Sequence, residues 1–152
     1  MGAREQAPIN VNYLVDEVMH FFAKEDGFYV SDNFQEVHCS TGCFWQLTLS
    51  ANSSILQLFA NISGRANFGG GLMKIQTYEI DGMFVIHPSA LDENASRRLL
   101  KGSQRLKLNS PDRRALDEVV FEVLGLTAGE REAVYEAVVA MVRARLQKAQ
   151  SV

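Results

Sequence analysis

The residues whose types and spacing most favour a chemical function lie in 64–80, GRANFGGGLMKIQTYEI, where three consecutive glycines stand among long polar side chains. Arg65 and Asn67 precede the glycines, and Lys74 and Gln76 follow them on alternate residues. Glycine allows a backbone to approach a ligand closely, and these side chains can donate hydrogen bonds to phosphates and base edges. The residue types alone fit two interpretations: a nucleic-acid contact, or a loose surface turn with solvated neighbours.

These glycines do not form a nucleotide-binding motif. A P-loop needs glycine, four residues and then Gly-Lys-Ser/Thr, but Gly70 stands where the lysine is required and Lys74 comes too late. A Rossmann fingerprint fails because the glycines follow a helix-like segment and precede a strand-like one. The chain has no G-x-S-x-G elbow and no convincing pair of carboxylates. We therefore predict no catalytic residues in this chain.

Cys39 and Cys43 form a C-x-x-x-C pair beside His38. A metal site would need two further ligands, and His20 and His87 are the only other histidines. Because thiols stay reduced in the cytoplasm, we predict two free cysteines rather than a zinc site or a disulfide.

Length and composition indicate a globular protein. The 152 residues are 47% hydrophobic and 22% charged, which fits one compact domain or one domain with an appendage. No apolar run approaches the roughly 20 residues that cross a bilayer, and the first residues, MGAREQAPIN, lack a signal-peptide core. The sequence therefore predicts a cytoplasmic protein with no membrane partner.

The net charge is −3, but the charged residues are unevenly distributed and one segment of the chain is strongly basic. Residues 1–88 carry more acidic than basic side chains, whereas the charged residues of 97–114, RRLLKGSQRLKLNSPDRR, are nearly all basic. Such a segment would hold phosphates and add affinity without specificity. The predicted phosphate contacts are Arg97, Arg98, Lys101, Arg105 and Lys107.

The first half of the chain predicts both helices and strands. An apolar period over 14–22 indicates a first helix, which Asp26-Gly27 ends, and residues 28–39 indicate two short strands around a Ser-Asp-Asn turn. Residues 43–51 fit a strand and a helix equally well.

A helix is predicted next, beginning at Asn52 or Ser53 and ending at Gly64. After the glycines, residues 72–80 indicate a strand, because Met73 and Ile75 alternate with Lys74 and Gln76. The apolar run 83–86 continues it as a buried strand.

The second half of the chain predicts helices. Ser89 can cap one through Leu100, which Gly102 breaks, and Ser110-Pro111 starts another, which Gly125 ends.

Thr127 and Glu130 form a capping box for a last helix, which reaches about Lys148 and has a wide apolar face. The predicted fold is therefore a mixed α+β portion over 1–88, followed by a basic linker and helical tail over 89–152.

Residues 51–88, ANSSILQLFANISGRANFGGGLMKIQTYEIDGMFVIHP, resemble the target-recognition domain of N6-adenine DNA methyltransferases of restriction–modification systems, including fused type IIG enzymes. In that family an Asn-Ser-Ser segment opens a helix, an arginine and a glycine-rich loop follow, and a strand then leads to a hydrophobic-Pro step. Residues 111–152 resemble the helical tail that follows the domain in many such enzymes. Ala51 stands where the family usually has leucine.

The catalytic part of that family has no counterpart in this sequence. The family motif Asp/Asn-Pro-Pro-Tyr/Phe is absent because Pro8, Pro88 and Pro111 are not adjacent, and the glycine-rich strand–turn that binds SAM is absent too. The resemblance therefore implies a domain that recognises double-stranded DNA and holds no cofactor itself. SAM would bind to a methyltransferase catalytic domain or subunit supplied elsewhere, so the chain would be part of a modification methylase without being catalytic.

The resemblance assigns DNA contacts to the glycine loop and its polar neighbours. These residues are Arg65, Asn67, Gly69, Gly70, Gly71, Lys74 and Gln76. The alternative is a protein–protein interaction module that docks to a partner or subunit through the apolar face of its helical tail.

Overall fold

The computed structural model describes residues 6–28, 30–39, 42–65, 69–104 and 113–150, which form a mixed α+β fold with a long C-terminal helix. The strands are β1 (Ala7–Asn12), β2 (Leu14–Val15), β3 (Phe21–Phe28), β4 (Phe34–Val37) and β5 (Met73–Lys74). The helices are α1 (Phe44–Ala51), α2 (Ser54–Ser63), α3 (Thr77–Asp81), α4 (Glu93–Ser103), α5 (Arg114–Val123) and α6 (Ala128–Gln150). None of the helices in these ranges has both the length and the apolar character that crossing a bilayer requires.

Two antiparallel sheets organise the N-terminal half. Strand β1 is the centre of a three-stranded sheet in the order β3-β1-β4, with Ile9 opposite Val37. Ile9 and Val11 are fully buried, so β1 is part of the core; this strand was not predicted, although Ala7, Ile9 and Val11 alternate with Asn10 and Asn12. The smaller sheet pairs β2 with β5, and a backbone bridge between Arg65 and Lys74 extends it.

Two hydrophobic clusters hold these elements together. The first joins α4, α5 and α6 to Leu49 and Ile86, so it includes side chains from both sides of residue 88. The second joins the two sheets to α2. Its buried members are Val11, Val15, Met19, Ala60, Met73 and Ile75.

The helix predicted over 14–22 is wrong, because this segment contains β2 and the start of β3. The Gln57 side chain donates to the Met19 carbonyl at 2.7 Å and accepts from the Met19 N–H at 2.8 Å. Asn52 makes the corresponding pair of hydrogen bonds with the backbone of Phe21. These side-chain amides satisfy backbone groups that a helix would pair internally, so long-range contacts outweigh the apolar period.

The strands predicted after the glycines are largely wrong. Only β5 is extended, and α3 follows it because the Glu79 carboxylate accepts the Gln76 N–H at 2.7 Å. The Gln-x-x-Glu spacing matches a capping box, which is the signal for this helix. Residues 83–87 form neither helix nor strand, and Phe84 is exposed where a buried strand was predicted.

Several predicted elements are confirmed. Helix α2 has Ser53 at its N-cap and Gly64 at its C-cap, and the ambiguous segment 43–51 contains α1. Strand β4 follows the predicted turn, where the Phe34 N–H donates to the Ser31 carbonyl at 3.0 Å. Strands β3 and β4 do not pair with each other, since both pair with β1.

The last two helices also match the sequence patterns. Gly125 follows α5 with a φ of 68°, and Glu130 accepts the Thr127 N–H at 2.8 Å at the start of α6. The helix start predicted at Ser110-Pro111 lies outside the described residues.

Helix α4 begins later than predicted and continues further. Its N-cap is Asp92, not Ser89, and the Asp92 side chain accepts the Ala95 N–H at 2.6 Å. Gly102 lies inside the helix and does not break it. A Cβ at this position would lie 2.9 Å from the Ala115 carbonyl oxygen, so the glycine lets α5 pack closely on α4.

Candidate nucleic-acid interface

The glycine run Gly69–Gly71 forms a tight turn that packs against α6. Gly70 and Gly71 have φ values of 77° and 76°, in the left-handed region that favours glycine. A Cβ on Gly71 would lie 3.0 Å from the Leu146 Cδ2 atom, whereas one on Gly70 would meet no described atom within 4 Å. Gly71 therefore allows α6 to pack closely, and Gly70 leaves an open approach to the backbone.

A buried arginine fixes α6 to the same turn. Arg145 is 8% exposed, and its Nη1 donates to the carbonyl oxygens of Gly71 and Val15, the latter at 3.3 Å. Burial lowers the pKa of Arg145, and the carboxylates of Asp16 and Glu17 oppose that shift. No sequence pattern predicts this contact; the one signal is a charged residue within the apolar stripe of the tail.

Arg65 is held at a fixed place on the surface. Its Nε donates to Glu79 Oε1 at 3.1 Å, its Nη2 donates to the Tyr78 hydroxyl, and its guanidinium lies 5.6 Å from the Tyr78 ring centroid. The Glu79 side chain is nearly buried, whereas that of Arg65 is 58% exposed. An anchored carboxylate thus orients an arginine that remains open to solvent.

The other polar residues of the glycine segment lie close to Arg65. Lys74 pairs with Arg65 through two backbone hydrogen bonds, and its ammonium lies 4.6 Å from the Tyr13 ring centroid. Gln76 is the N-cap of α3 and is half-buried. The structure therefore brings Arg65, Lys74 and Gln76 to one region, while Asn67 lies outside the described residues.

Apolar side chains of α2, α3 and the segment 83–86 are exposed, and no sequence pattern predicts their exposure. Phe84 is 76% exposed, Ile62 62% and Tyr78 57%. The Phe84 ring lies 5.9 Å from the Phe59 ring, measured between centroids, and Phe59 shares a face of α2 with Ile62.

The basic residues of α4 form a separate surface. Arg97 donates to Glu93 and Arg98 to Glu122, both at 2.7 Å, and Lys101 is exposed. Helix α4 packs on α1 and α5, whereas α2 and the glycine turn pack on α6. The two sets of predicted contacts thus lie on different parts of the fold. Arg105 and Lys107 lie outside the described residues.

A buried polar network joins the N-terminal segment to the tail. Asp117 is fully buried and accepts hydrogen bonds from the Ser54 N–H at 2.6 Å and the Ser54 hydroxyl at 2.7 Å. Arg113 is also buried, and its Nη2 lies 3.2 Å from His20 Nδ1. Burial, together with the charge of Arg113, lowers the pKa of His20. Burial raises the pKa of Asp117, and hydrogen bonds from Ser54 and Tyr135 partly offset this rise.

The residues that the structure describes line two concavities large enough to hold a ligand or an anchor side chain. A cleft of about 350 Å³ lies beside α6, where Val138, Val142 and Leu146 form most of its apolar wall. A second cavity, of about 420 Å³, lies between the three-stranded sheet, α1 and α3, with Ile9 and Ile80 among its lining residues. Both volumes are within the range of ligand or anchor-residue sites.

Cys39 and Cys43 are half-buried and are not joined to each other by a disulfide. Across the residues that the structure describes, no group of three or more histidine, cysteine, aspartate or glutamate side chains is placed to hold a metal ion.

Comparison of the chain with protein-family models, curated proteins and solved structures found no match in any of the three. Function is therefore inferred from the residues and contacts of this chain. Its most distinctive surface feature is the exposed Arg65 guanidinium, which contacts Glu79 and Tyr78.

Proposed function

We propose that this chain is the DNA sequence-recognition domain of a restriction–modification N6-adenine DNA methyltransferase. The domain contacts double-stranded DNA, while a methyltransferase domain or subunit supplies SAM binding and catalysis. The resemblance of residues 51–88 supports this proposal at the level of sequence. The observation that carries it is the exposed Arg65 guanidinium, which Glu79 and Tyr78 hold in one orientation.

This arrangement suits base recognition better than phosphate binding. A guanidinium has five N–H donors, and the contacts with Glu79 and Tyr78 occupy the Nε and one N–H of Nη2. The Nη1–Nη2 edge keeps the donor pair that binds guanine O6 and N7. The nearby Glu79 carboxylate offsets the charge of Arg65, so the arginine contributes more to hydrogen-bond specificity than to long-range attraction.

The basic face of α4 would supply phosphate contacts. Arg97 and Lys101 are exposed and lie one turn apart, and the surface ion pair of Arg97 with Glu93 is of a kind worth only about 0–1 kcal/mol. Arg97 can therefore exchange Glu93 for a DNA phosphate at little cost in free energy. Such contacts are independent of base sequence.

Neutralising α4 is expected to weaken binding to every duplex. In Arg97→Gln/Arg98→Gln/Lys101→Gln, each lost phosphate contact should reduce the salt slope of log K by about 0.9. Fluorescence anisotropy between about 50 and 200 mM salt measures both the affinity and the slope. Arg143→Gln, which removes an exposed charge from α6, is the matched control. An unchanged slope in the triple variant would remove α4 from the interface.

Replacing Arg65 is expected to relax sequence preference. Selection from a pool of random duplexes with the wild-type chain would first define the preferred site. Arg65→Ala should then lose about 1–3 kcal/mol of discrimination at one base pair, with a smaller effect on non-specific duplex.

Arg65→Lys is the matched variant, because it keeps the charge and loses the planar pair of donors. It should behave like the alanine variant in selection and like the wild type on non-specific duplex. If both variants select the wild-type site with equal stringency, Arg65 does not read bases.

The cleft beside α6 favours a second candidate function, a docking module for another protein or subunit. Its walls are apolar, and Val139 at its edge is 53% exposed. Affinity for duplex DNA that falls steeply with salt supports the first function. A chain that binds no duplex at low salt would leave the docking module as the better proposal.

A further inference from the structure

The face of α6 that lines the cleft carries a row of apolar side chains. Val139, Val142 and Leu146 recur at spacings of three and four residues, so they lie along one side of the helix. Val139 is the middle residue of α6 (Ala128–Gln150) and is 53% exposed, whereas Val142 and Leu146 are half-buried. A second helix laid along this row would cover the apolar surface that the fold leaves open.

Charges of opposite sign lie beside the two ends of this row. Glu136 precedes Val139 and Arg143 follows it, and the two charged residues share a face because seven residues make about two helical turns. Both side chains are exposed, and in the part of the chain that the structure describes neither forms a salt bridge. Glu132, one turn before Glu136, adds a like charge at the acidic end. The helix therefore presents a negative charge before its midpoint and a positive charge after it.

We propose that this face of α6 is the interface of a homodimer, in which the α6 helices of two copies run antiparallel and cross next to Val139. This arrangement places Glu136 of each copy opposite the partner's Arg143, so two ion pairs form. A parallel arrangement in register would instead place glutamate against glutamate and arginine against arginine. The order of the charges along α6 thus selects a second copy of this chain, in one orientation.

The homodimer gives the cleft beside α6 an occupant, and it does not depend on DNA recognition. A twofold pair uses the same patch on both copies, so the acidic end of one helix meets the basic end of the other. Helix α6 is about 34 Å long, and a contact between two single helices is at the small end of protein interfaces. We therefore expect reversible association, with a Kd on the order of 10 µM.

Sedimentation equilibrium of the full chain over about 2–200 µM measures this association. The wild type should fit a monomer–dimer equilibrium. Glu136→Arg and Arg143→Glu should each weaken self-association by about tenfold or more, because either change turns both ion pairs into contacts between like charges.

An equimolar mixture of Glu136→Arg and Arg143→Glu tests the antiparallel orientation. In the mixed dimer the two introduced side chains face each other, and the native Arg143 of one copy faces the native Glu136 of the other. Both ion pairs are therefore restored. The mixture should associate with an affinity within about threefold of the wild type, although each variant alone associates weakly.

Two controls separate the interface from folding and from net charge. Glu118→Arg is the matched variant, because it reverses an exposed carboxylate on α5, and it should leave the dimer Kd unchanged. Glu136 and Arg143 are exposed, so their variants should unfold in urea at the wild-type midpoint. Duplex binding should be measured below the concentration at which copies associate, so that Arg143→Gln stays a valid control for the α4 variants.

Each result supports or overturns the homodimer. A wild-type chain that stays monomeric up to about 200 µM overturns it and leaves the cleft to a different protein. A wild-type dimer that both reversal variants leave intact uses another surface, which also overturns it. If mixing the variants does not restore association, the helices do not pair antiparallel and the proposed arrangement is wrong. A chain that dimerises as expected but binds no duplex would remove the proposed function alone.

Discussion

Replacing Gly71 with valine is expected to destabilise the fold by about 2–5 kcal/mol. Its φ of 76° is a conformation that costs a non-glycine residue about 1–2 kcal/mol. The added Cβ would also lie 3.0 Å from Leu146 Cδ2 and 3.3 Å from Ala149 Cβ, and overpacking of this kind costs about 1–3 kcal/mol. Urea unfolding measures the free-energy difference from the wild type.

Gly70→Val is the matched control, because Gly70 has almost the same φ and open space around its Cβ position. It should lose only the strain component, about 1–2 kcal/mol. The difference between the two variants isolates the packing of α6 on the glycine turn. Equal costs would show that this close packing contributes nothing.

The same pair of variants tests what the glycines do for DNA binding. Gly70→Val fills the open approach to the backbone, so it should weaken duplex binding under conditions where the protein is still folded. Normal binding by folded Gly70→Val would restrict the glycine run to a packing role.

Local sequence signals predicted the elements whose ends depend on nearby residues. The Thr127–Glu130 capping box and Gly125 with its positive φ define the ends of helices through bonds within a few positions. Helix α2 is predictable for the same reason, since Ser53 and Gly64 mark its ends. Such signals act on the chain before any tertiary contact forms.

Long-range hydrogen bonds account for the elements that the sequence did not predict. The apolar period over 14–22 resembles a helix, yet the side chains of Asn52 and Gln57 bind its backbone from more than thirty positions away. Even in α2, whose bounds the sequence does predict, the first N–H is bound by Asp117 rather than by a neighbouring side chain. Hydrogen bonds between a side chain and a distant segment of backbone cannot be predicted from the local periodicity of apolar residues.

The candidate site was predictable in its polar residues and not in its apolar ones. Arg65 and Lys74 stand out as long polar side chains beside glycines, and a backbone bridge brings them together. The run 83–86 is apolar throughout, so it predicts burial. Its exposure at Phe84 depends on the anchors Met83 and Ile86, whose positions the tertiary structure determines.

Removing the Asp117 carboxylate is expected to have the largest effect on stability, about 3–5 kcal/mol for Asp117→Ala. The side chain is fully buried, and its two oxygens accept the N–H and the hydroxyl of Ser54 at the start of α2. Each buried donor left without a partner costs about 1–3 kcal/mol, and Tyr135 also loses its hydrogen bond. The helix start would further lose a favourable negative charge.

Asp117→Asn keeps the size of the side chain and removes its negative charge, so it separates the contribution of the hydrogen bonds to stability from that of the charge. The amide oxygen can still accept the Ser54 N–H, and the amide nitrogen can donate to the Ser54 hydroxyl, so the cost should be about 1 kcal/mol. The raised pKa of Asp117 gives this comparison a pH dependence. A carboxyl whose folded pKa lies above its unfolded pKa of about 3.9 stabilises most below that value, and this contribution is lost as the pH rises through the folded pKa. The stability of the wild type relative to Asp117→Asn should therefore decline with rising pH in that window. An alanine variant as stable as the asparagine variant would contradict the role of Asp117 as the long-range cap of α2.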